Sequence, residues 1–263
     1  MSTRDHHDRG FWITLSLIAG LMAAFLVALL VSTAQRSSLQ DVWNSLSSRE
    51  IQYSIKLSLF TCTLAALISL IVAVPTGYLL SRRRFRGRTL LDAIFDIPIV
   101  LPPMVLGLCL LVFFQTSGAK FVEQHMQFTY QIAGVVLAQF VIACAFAIRI
   151  MRQTFDHLSP RPEDVAMTLG CTRWQAFRMV ALPSARRGMA AAFSVAWARS
   201  LGEFGPVLVF AGATRMKTEV LPTTVWLELS VGNLEGAVAV SLLLVVMALL
   251  VLLLIRFTGE NMA

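Results

Sequence analysis

The sequence predicts an all-α membrane protein of six transmembrane helices, with a polar helical segment on the cytoplasmic side between spans four and five. Three observations predict it. Hydrophobic residues make up 57% of the 263 residues and charged residues only 14%, where a soluble domain carries about 25% charged. The apolar excess falls in six blocks, at about 11–32, 53–80, 94–115, 130–151, 188–212 and 235–256, each near the roughly 20 residues a bilayer crossing needs. The basic residues are spread unevenly about these blocks. Helices are the expected spanning form, because lipid cannot satisfy an open strand edge.

The first block is too long for a signal-peptide core, and Gln35, Arg36 and Ser37 stand where a small-residue cleavage site would follow. It is read as a retained span. The longest external loop, about 33–52, holds the Ser-rich run SSLQDVWNSLSSRE and is placed along the interface. In span two, Pro75 and Gly77 predict a mild kink. Span three begins DIPIVLPPMVLG. Pro98, Pro102 and Pro103 each lack an amide donor and crowd the preceding turn, so they do not all fit a regular helix interior. Two readings stay open: a helix that starts late, or broken backbone lining a cavity. Span five carries Arg199 and Glu203, four residues apart on one helical face. Charges at such depth usually face the bundle interior or water. Gly202, Gly205 and Pro206 beside the pair permit close packing or bending.

The net charge of +7 is clustered. Arg82, Arg83, Arg84, Arg86 and Arg88 follow span two, and seven arginines from Arg149 to Arg187 flank the segment after span four. With Arg4, Arg9 and Arg256, fifteen basic residues fall on one side; six, from Arg36 to Lys217, fall on the other. The basic excess marks the cytoplasmic face. Both termini are therefore placed inside, and nucleic acid is not an expected partner. Cys62, Cys109, Cys144 and Cys171 form no CxxC pair and are read as small packing residues. The four scattered histidines indicate no metal site.

The loop at about 152–187 holds EDVAMTLGCTRWQAFRMVALP. Pro162 suits the first position of a helix, and Glu163 and Asp164 favour its positive end. Gly170 can stop this helix in a left-handed turn. Thr172 and Gln175 have capping-box spacing for a second helix, which Pro183 is expected to interrupt. Trp174, Phe177 and Val180 share helical spacing. By physics alone the segment is either a loop helix resting on its own bundle or a docking helix for another protein. A DNA-reading helix pair fits poorly between two spans.

The segment resembles the importer-type permeases of ATP-binding-cassette (ABC) transporters. Their pattern is EAA, three residues, G, nine residues, I, one residue, LP. Here Asp164, Val165, Ala166, Gly170, Val180, Leu182 and Pro183 hold every spacing, with Asp for Glu and Val for Ala and Ile. The resemblance implies that Glu163 to Gly170 form the coupling helix, which docks in a groove of an ATPase subunit. The run ARSLGEFGPVLVFAG at 198–212 is similar to the molybdate branch, as are PIVLPPMVLG, KTEVLPTTVW and GNLEGAVAVS. Sulfate and tungstate permeases are close relatives of that branch. The resemblance covers about residues 50–256; by hydropathy and charge, residues 1–52 hold a cytoplasmic tail, the first span and the external loop. Residues 53–256 form the permease domain, and 257–263 a short tail.

The implied function is the membrane subunit of an oxyanion importer, with molybdate first and tungstate or sulfate as alternatives. The implied partners are a second copy of the chain, two ABC ATPase subunits, an extracytoplasmic anion-binding protein and the lipid bilayer of the cell membrane (the inner membrane in a Gram-negative source). The chain has no G-x-x-x-x-G-K-[ST] loop. It is expected to carry no cofactor and no catalytic residue, with ATP and Mg on the partner ATPase. Pro98, Pro102, Pro103, Arg199, Glu203 and Gly205 are the candidates for the translocation path or gate. For Arg199 and Glu203 a structural or gating lock is favoured over direct handling of the anion by the guanidinium fork. An ion-coupled carrier and a membrane enzyme are the rivals from other classes; scattered histidines give the enzyme little support.

Overall fold

Small residues dominate the centre of this bundle, and they let three helices approach closely. The computed structural model describes residues 3–35, 43 and 46–260. In order come α1 (Thr3–Ala34), α2 (Arg49–Arg82), α3 (Arg88–Val100), α4 (Pro103–Phe113), α5 (Ser117–His125) and α6 (Ile132–His157). The polar segment follows, with α7 (Arg161–Thr168), α8 (Arg173–Ala176), a π-helical turn (Phe177–Ala181) and α9 (Leu182–Ser184). The chain continues through α10 (Arg186–Leu201), α11 (Gly205–Phe210), α12 (Leu221–Ser230) and α13 (Leu234–Glu260). No strand occurs among the described residues. The expected external loop lies largely outside them, Arg36 included, as does the end of the C-terminal tail.

Among the described residues, four helices are long and apolar enough to cross a membrane: Phe11–Ala34 of α1, α2, α6 and Leu234–Val251 of α13. The other two expected spans are discontinuous. Span three divides into α3 and α4, bent by 112°. The break falls at Leu101 and Pro102, both extended, as the residue before a proline prefers. Pro103 then opens α4 at a position that needs no amide donor. Pro98 sits inside α3, so the Pro102–Pro103 pair alone makes the break. Of the two readings of these prolines, broken backbone is the one realised. Span five is α10, of 16 residues, an end at Gly202, and the short α11. At 1.5 Å per residue α10 covers about 24 Å, less than a full bilayer core. Pro75 leaves α2 continuous over 34 residues.

The core joins α2, α6 and α10. Cys62, Ala66 and Ala73 of α2 meet Ala143, Ala147 and Met151 of α6, and Ala192 and Ala196 of α10. With no driving force from water inside lipid, such contacts rely on close backbone approach. Gly77 shows how close: a Cβ there would lie 2.7 Å from the Arg152 amide nitrogen on α6. Cys62 and Cys144 are buried in this core, in keeping with their reading as packing residues, whereas Cys109 is exposed and Cys171 only half-buried, against that reading. α1 packs against α13 and leaves its side chains from Phe11 to Leu30 exposed. That apolar surface suits lipid rather than water.

A second cluster sits towards the other end of the bundle. Phe114 of the α4 end stacks at 5.2 Å from both Phe128 and Phe210. From here the loop at 211–220 returns to α2. The Ser58 hydroxyl accepts the Leu221 amide at 2.8 Å, and Tyr53 donates its hydroxyl to the Lys217 carbonyl.

Candidate functional site

Local chemistry shapes the polar segment. α7 begins one residue earlier than the proline rule indicates, at Arg161, and carries Glu163 and Asp164 in its first turn. It ends in two bonds: Gly170 N–H to Met167 O and Cys171 N–H to Ala166 O, both 3.1 Å. This is a Schellman ending, and it needs a left-handed residue; Gly170 supplies φ +95°. Two residues on, the Thr172 hydroxyl accepts the Gln175 amide and the Gln175 side chain accepts the Thr172 amide at 2.7 Å. Both predicted caps are present. Pro183, expected to interrupt the helix, sits where it becomes irregular: a π-helical turn precedes it, and the helix ends one residue after it, at Ser184. The chain stays helical through α9 because the π-helical turn ahead of Pro183 lengthens the loop between donor and acceptor. The wider turn relieves the clash a proline ring makes with the preceding turn.

Glu163 is the point where this segment meets the bundle. It is buried and accepts the Tyr78 hydroxyl at 2.6 Å. It also accepts Arg82 Nε at 3.1 Å and Arg82 Nη2 at 2.9 Å. The same guanidinium donates to the Phe155 and Leu158 carbonyls at 2.7 and 3.0 Å. It thereby satisfies carbonyls at the end of α6 that the helix itself leaves open. One arginine at the end of α2 thus joins three elements. The opposite face of α7 is bare. Val165 is 56% exposed and Leu169 81%, four residues apart and hence neighbours on the surface. Asp164 is exposed beside them. Val180 faces inward, lining a small cavity with Pro162 and Glu163. Leu182 is half-buried and Pro183 exposed. The displayed residues are therefore Asp164, Val165 and Leu169, while Glu163 and Val180 hold the helix in place.

The two broken segments, α3–α4 and α10–α11, meet at a cleft. Gly107 of α4 lies against α11 so closely that a Cβ would come 2.8 Å from Pro206 Cα. At Gly205 a Cβ would come 3.0 Å from the Met104 amide nitrogen. Beside this contact opens a cavity of about 430 Å³. Pro102, Pro103, Arg199, Glu203 and Gly205 line it, and Pro98 does not. Glu203 falls just past the end of α10, in the break, with its side chain 2% exposed. Arg199 Nη2 donates to Glu203 Oε1 at 2.8 Å, and its guanidinium lies 5.0 Å from the Phe146 ring centroid. That side chain is 43% exposed, so the pair has a buried anion and a half-open cation. On the side of α3, Arg152 of α6 pairs with Asp92 and holds the first half of the broken span.

Comparison with known proteins decides the family. Residues 73–259 match the family described as the binding-protein-dependent transport system inner membrane component. The chain belongs to that family. It is an importer-type ABC permease of the molybdate, tungstate and sulfate group. The sulfate transport system permease protein CysT of Escherichia coli is 33% identical, covering 91% of this chain and 89% of that one. The molybdenum transport system permease protein ModB of Haemophilus influenzae is 30% identical, covering 80% and 93%. The molybdate/tungstate permease protein WtpB of Thermococcus kodakarensis is 34% identical, covering 75% and 78%. Among solved structures, a bacterial alginate ABC transporter, in complex with its alginate-bound periplasmic protein, superposes with a TM-score of 0.77. It is 16% identical and covers 100% of this chain and 98% of its own, a likeness of fold.

The permease holds a further charged group that sequence reasoning missed. Arg215 pairs with Glu50 and, at 2.9 Å, with Glu228; Asn233 donates to the other Glu228 oxygen at 2.7 Å. Burial works against the Arg215 guanidinium, but the Glu228 and Glu50 carboxylates outweigh it and hold it above the usual arginine range. Glu219, fully buried nearby, accepts no hydrogen bond of ordinary geometry at either oxygen. Burial pushes its carboxyl up; Thr224 and Arg215 counter this only in part, and Glu50 and Glu228 add to it. No local signal marks Glu219, Arg82 or Tyr78 as special, because each acquires its meaning from residues distant in sequence.

Two outcomes are expected. As a neutral carboxyl, Glu219 confers stability that is fully present below the ordinary glutamate range and is lost as pH rises through its raised folded-state value. Glu219→Gln should therefore flatten the fall in melting temperature as pH rises above the ordinary glutamate range, read by thermal unfolding in detergent. For the cleft pair, Arg199→Gln leaves a buried carboxylate unpaired. It should lower the melting temperature, and Arg199→Gln with Glu203→Gln should recover much of that loss. A double variant no more stable than the single one would show that the two charges do not act as a unit.

Proposed function

We propose that this permease is the membrane subunit of an ATP-driven importer that carries a tetrahedral oxyanion, molybdate foremost, into the cytoplasm. The observation that carries this reading is the form of α7. Its inner face is tied to the bundle through Glu163, and its outer face offers Asp164, Val165 and Leu169 to a partner. A loop helix merely resting on its own bundle would bury those apolar side chains. The partner that fits is an ATPase subunit, which would bind ATP and Mg. Two copies of the permease would enclose the pathway, each presenting one α7. An anion-binding protein would deliver cargo to the opposite face.

In this reading the chain crosses the cell membrane six times, with α3–α4 and α10–α11 as broken crossings and the arginine-rich face inside. The cleft they form is the translocation path or its gate. Arg199 and Glu203 act there as a lock: an arginine already committed to a buried carboxylate and an aromatic face presents a moderated charge to a passing dianion. The curated relatives bear names of sulfate, molybdate and tungstate systems, which supports the class of cargo. Molybdate is preferred on the likeness of residues 198–212 to the molybdate branch.

Uptake by membrane vesicles containing the permease with its ATPase and binding protein tests this. Labelled molybdate should enter only with ATP; excess unlabelled molybdate or tungstate should suppress the signal, and sulfate should not. Preferential accumulation of sulfate would reassign the cargo, and uptake without ATP would overturn the mechanism. A second outcome concerns Gly170, where a Cβ would meet nothing within 4 Å. Gly170→Val acts only through the left-handed backbone, at a cost of roughly 1–2 kcal/mol. The variant should insert normally yet lose ATPase binding or uncouple hydrolysis from uptake. Unchanged uptake would reduce α7 to a structural connector.

A further inference from the structure

A groove of about 750 Å³ runs between the end of α2 and the π-helical turn, bordered by Tyr78 and Arg82, the two side chains that hold Glu163. Its floor is apolar: Pro75, Leu79 and Phe177, with Leu79 40% exposed. Its rim is basic and aromatic: Arg83, Arg173 and Trp174. Arg82 also borders it but is committed to Glu163 and to the end of α6. Arg83 and Arg173 are exposed and make no ion pair among the described residues. Trp174 is 67% exposed while its ring stands 5.6 Å from Phe177.

Depth decides what this shape fits. Arg82 and the arginines after it mark the end of the apolar run of α2. Pro75 is seven residues before Arg82, so the floor descends about 10 Å from the rim at 1.5 Å per residue. A soluble protein docked on the polar segment would meet the rim and not the floor. A molecule with an anionic head and an apolar tail would meet both. Arginine forks bind phosphate oxygens, and an indole at a rim suits the headgroup level.

We propose that this groove binds one anionic phospholipid, with its headgroup phosphate on Arg83 and Arg173, its glycerol region beside Trp174 and an acyl chain along Pro75 and Leu79. The site joins α2 to the segment after α7, so an occupying lipid would brace the junction that Arg82 and Glu163 make. This holds whichever anion the permease carries.

Fluorescence quenching in lipid nanodiscs tests it on the full chain. Brominated phosphatidylglycerol in a phosphatidylcholine background should quench Trp174, isolated by subtracting a Trp174→Phe variant, well beyond what brominated phosphatidylcholine achieves. Arg83→Gln with Arg173→Gln should weaken phosphatidylglycerol binding roughly thirtyfold, at about 1 kcal/mol for each arginine removed. Arg84→Gln with Arg86→Gln, which removes equal charge outside the groove, should leave it unchanged. Equal quenching by both lipids, or equal loss in the control variant, would overturn the assignment. Displacement of the brominated lipid by inorganic phosphate would overturn it in favour of a soluble ligand. Protection of Trp174 by an added ATPase subunit, without any dependence on lipid charge, would give the groove to a protein instead. None of these outcomes bears on transport by ATP, so each is separable from failure of the importer reading.

Discussion

The guanidinium of Arg82 is the joint on which the rest of the structure depends. Its donors reach the Glu163 carboxylate and two carbonyls at the end of α6. Arginine alone among side chains offers enough fixed donors to do this from one position. The carboxylate it holds is buried and also accepts the Tyr78 hydroxyl, so the ion pair is fully hydrogen-bonded where an unpaired charge would be costly. Through this joint α7 takes its orientation from α2 and α6, the two helices that supply most of the core. Asp164, Val165 and Leu169 are displayed because the neighbouring Glu163 is not.

The same logic of compensated disruption governs the membrane interior. Two of the apolar segments are broken, α3–α4 and α10–α11, and at membrane depth each break would expose backbone that lipid does not satisfy. The breaks are placed against one another. Gly107 and Gly205 remove side chains where α4 and α11 touch, and the interrupted ends face a shared cavity instead of lipid. Glu203 sits in one break, Pro102 in the other. Helix interruption, close packing and buried charge thus arise at one place, each tolerable because the others are there.

Much of this was legible in the sequence where the cause is local. The turn at Gly170 and the cap at Thr172 follow from residues within one helical turn, and both were readable. So were Pro102, Pro103, Arg199, Glu203 and Gly205 as a group apart, since prolines and charges at membrane depth stand out against apolar neighbours. What the sequence could not show was that two breaks 100 residues apart in the chain share a cavity, roughly the separation of Pro102 and Glu203. Hydropathy also read through Gly202 and took span five as continuous. Arg82 looked like one of five arginines in a basic run. Its distinction is a partner 81 residues away, and no periodicity reports such a pairing. The tolerance of Pro183 depended on a π turn, which propensity does not foresee.

The elbow between α7 and α8 has a mechanical consequence. A Schellman ending and a capping box stand almost back to back, so the corner is tied on both sides, by the Gly170 and Cys171 amides to α7 and by the reciprocal Thr172–Gln175 bonds to α8. Such a corner has little slack. Force applied to α7 is passed on through the corner as through a bent rod, not dissipated in it. In a series of linked elements, deformation collects in the softest member. Between the elbow and α10 the regular α-helical ladder is interrupted at the π-helical turn Phe177–Ala181 and again at Ala185, and these interruptions are where bending would collect. The compliance of the segment is thereby located beyond the corner, next to the helix that carries Arg199.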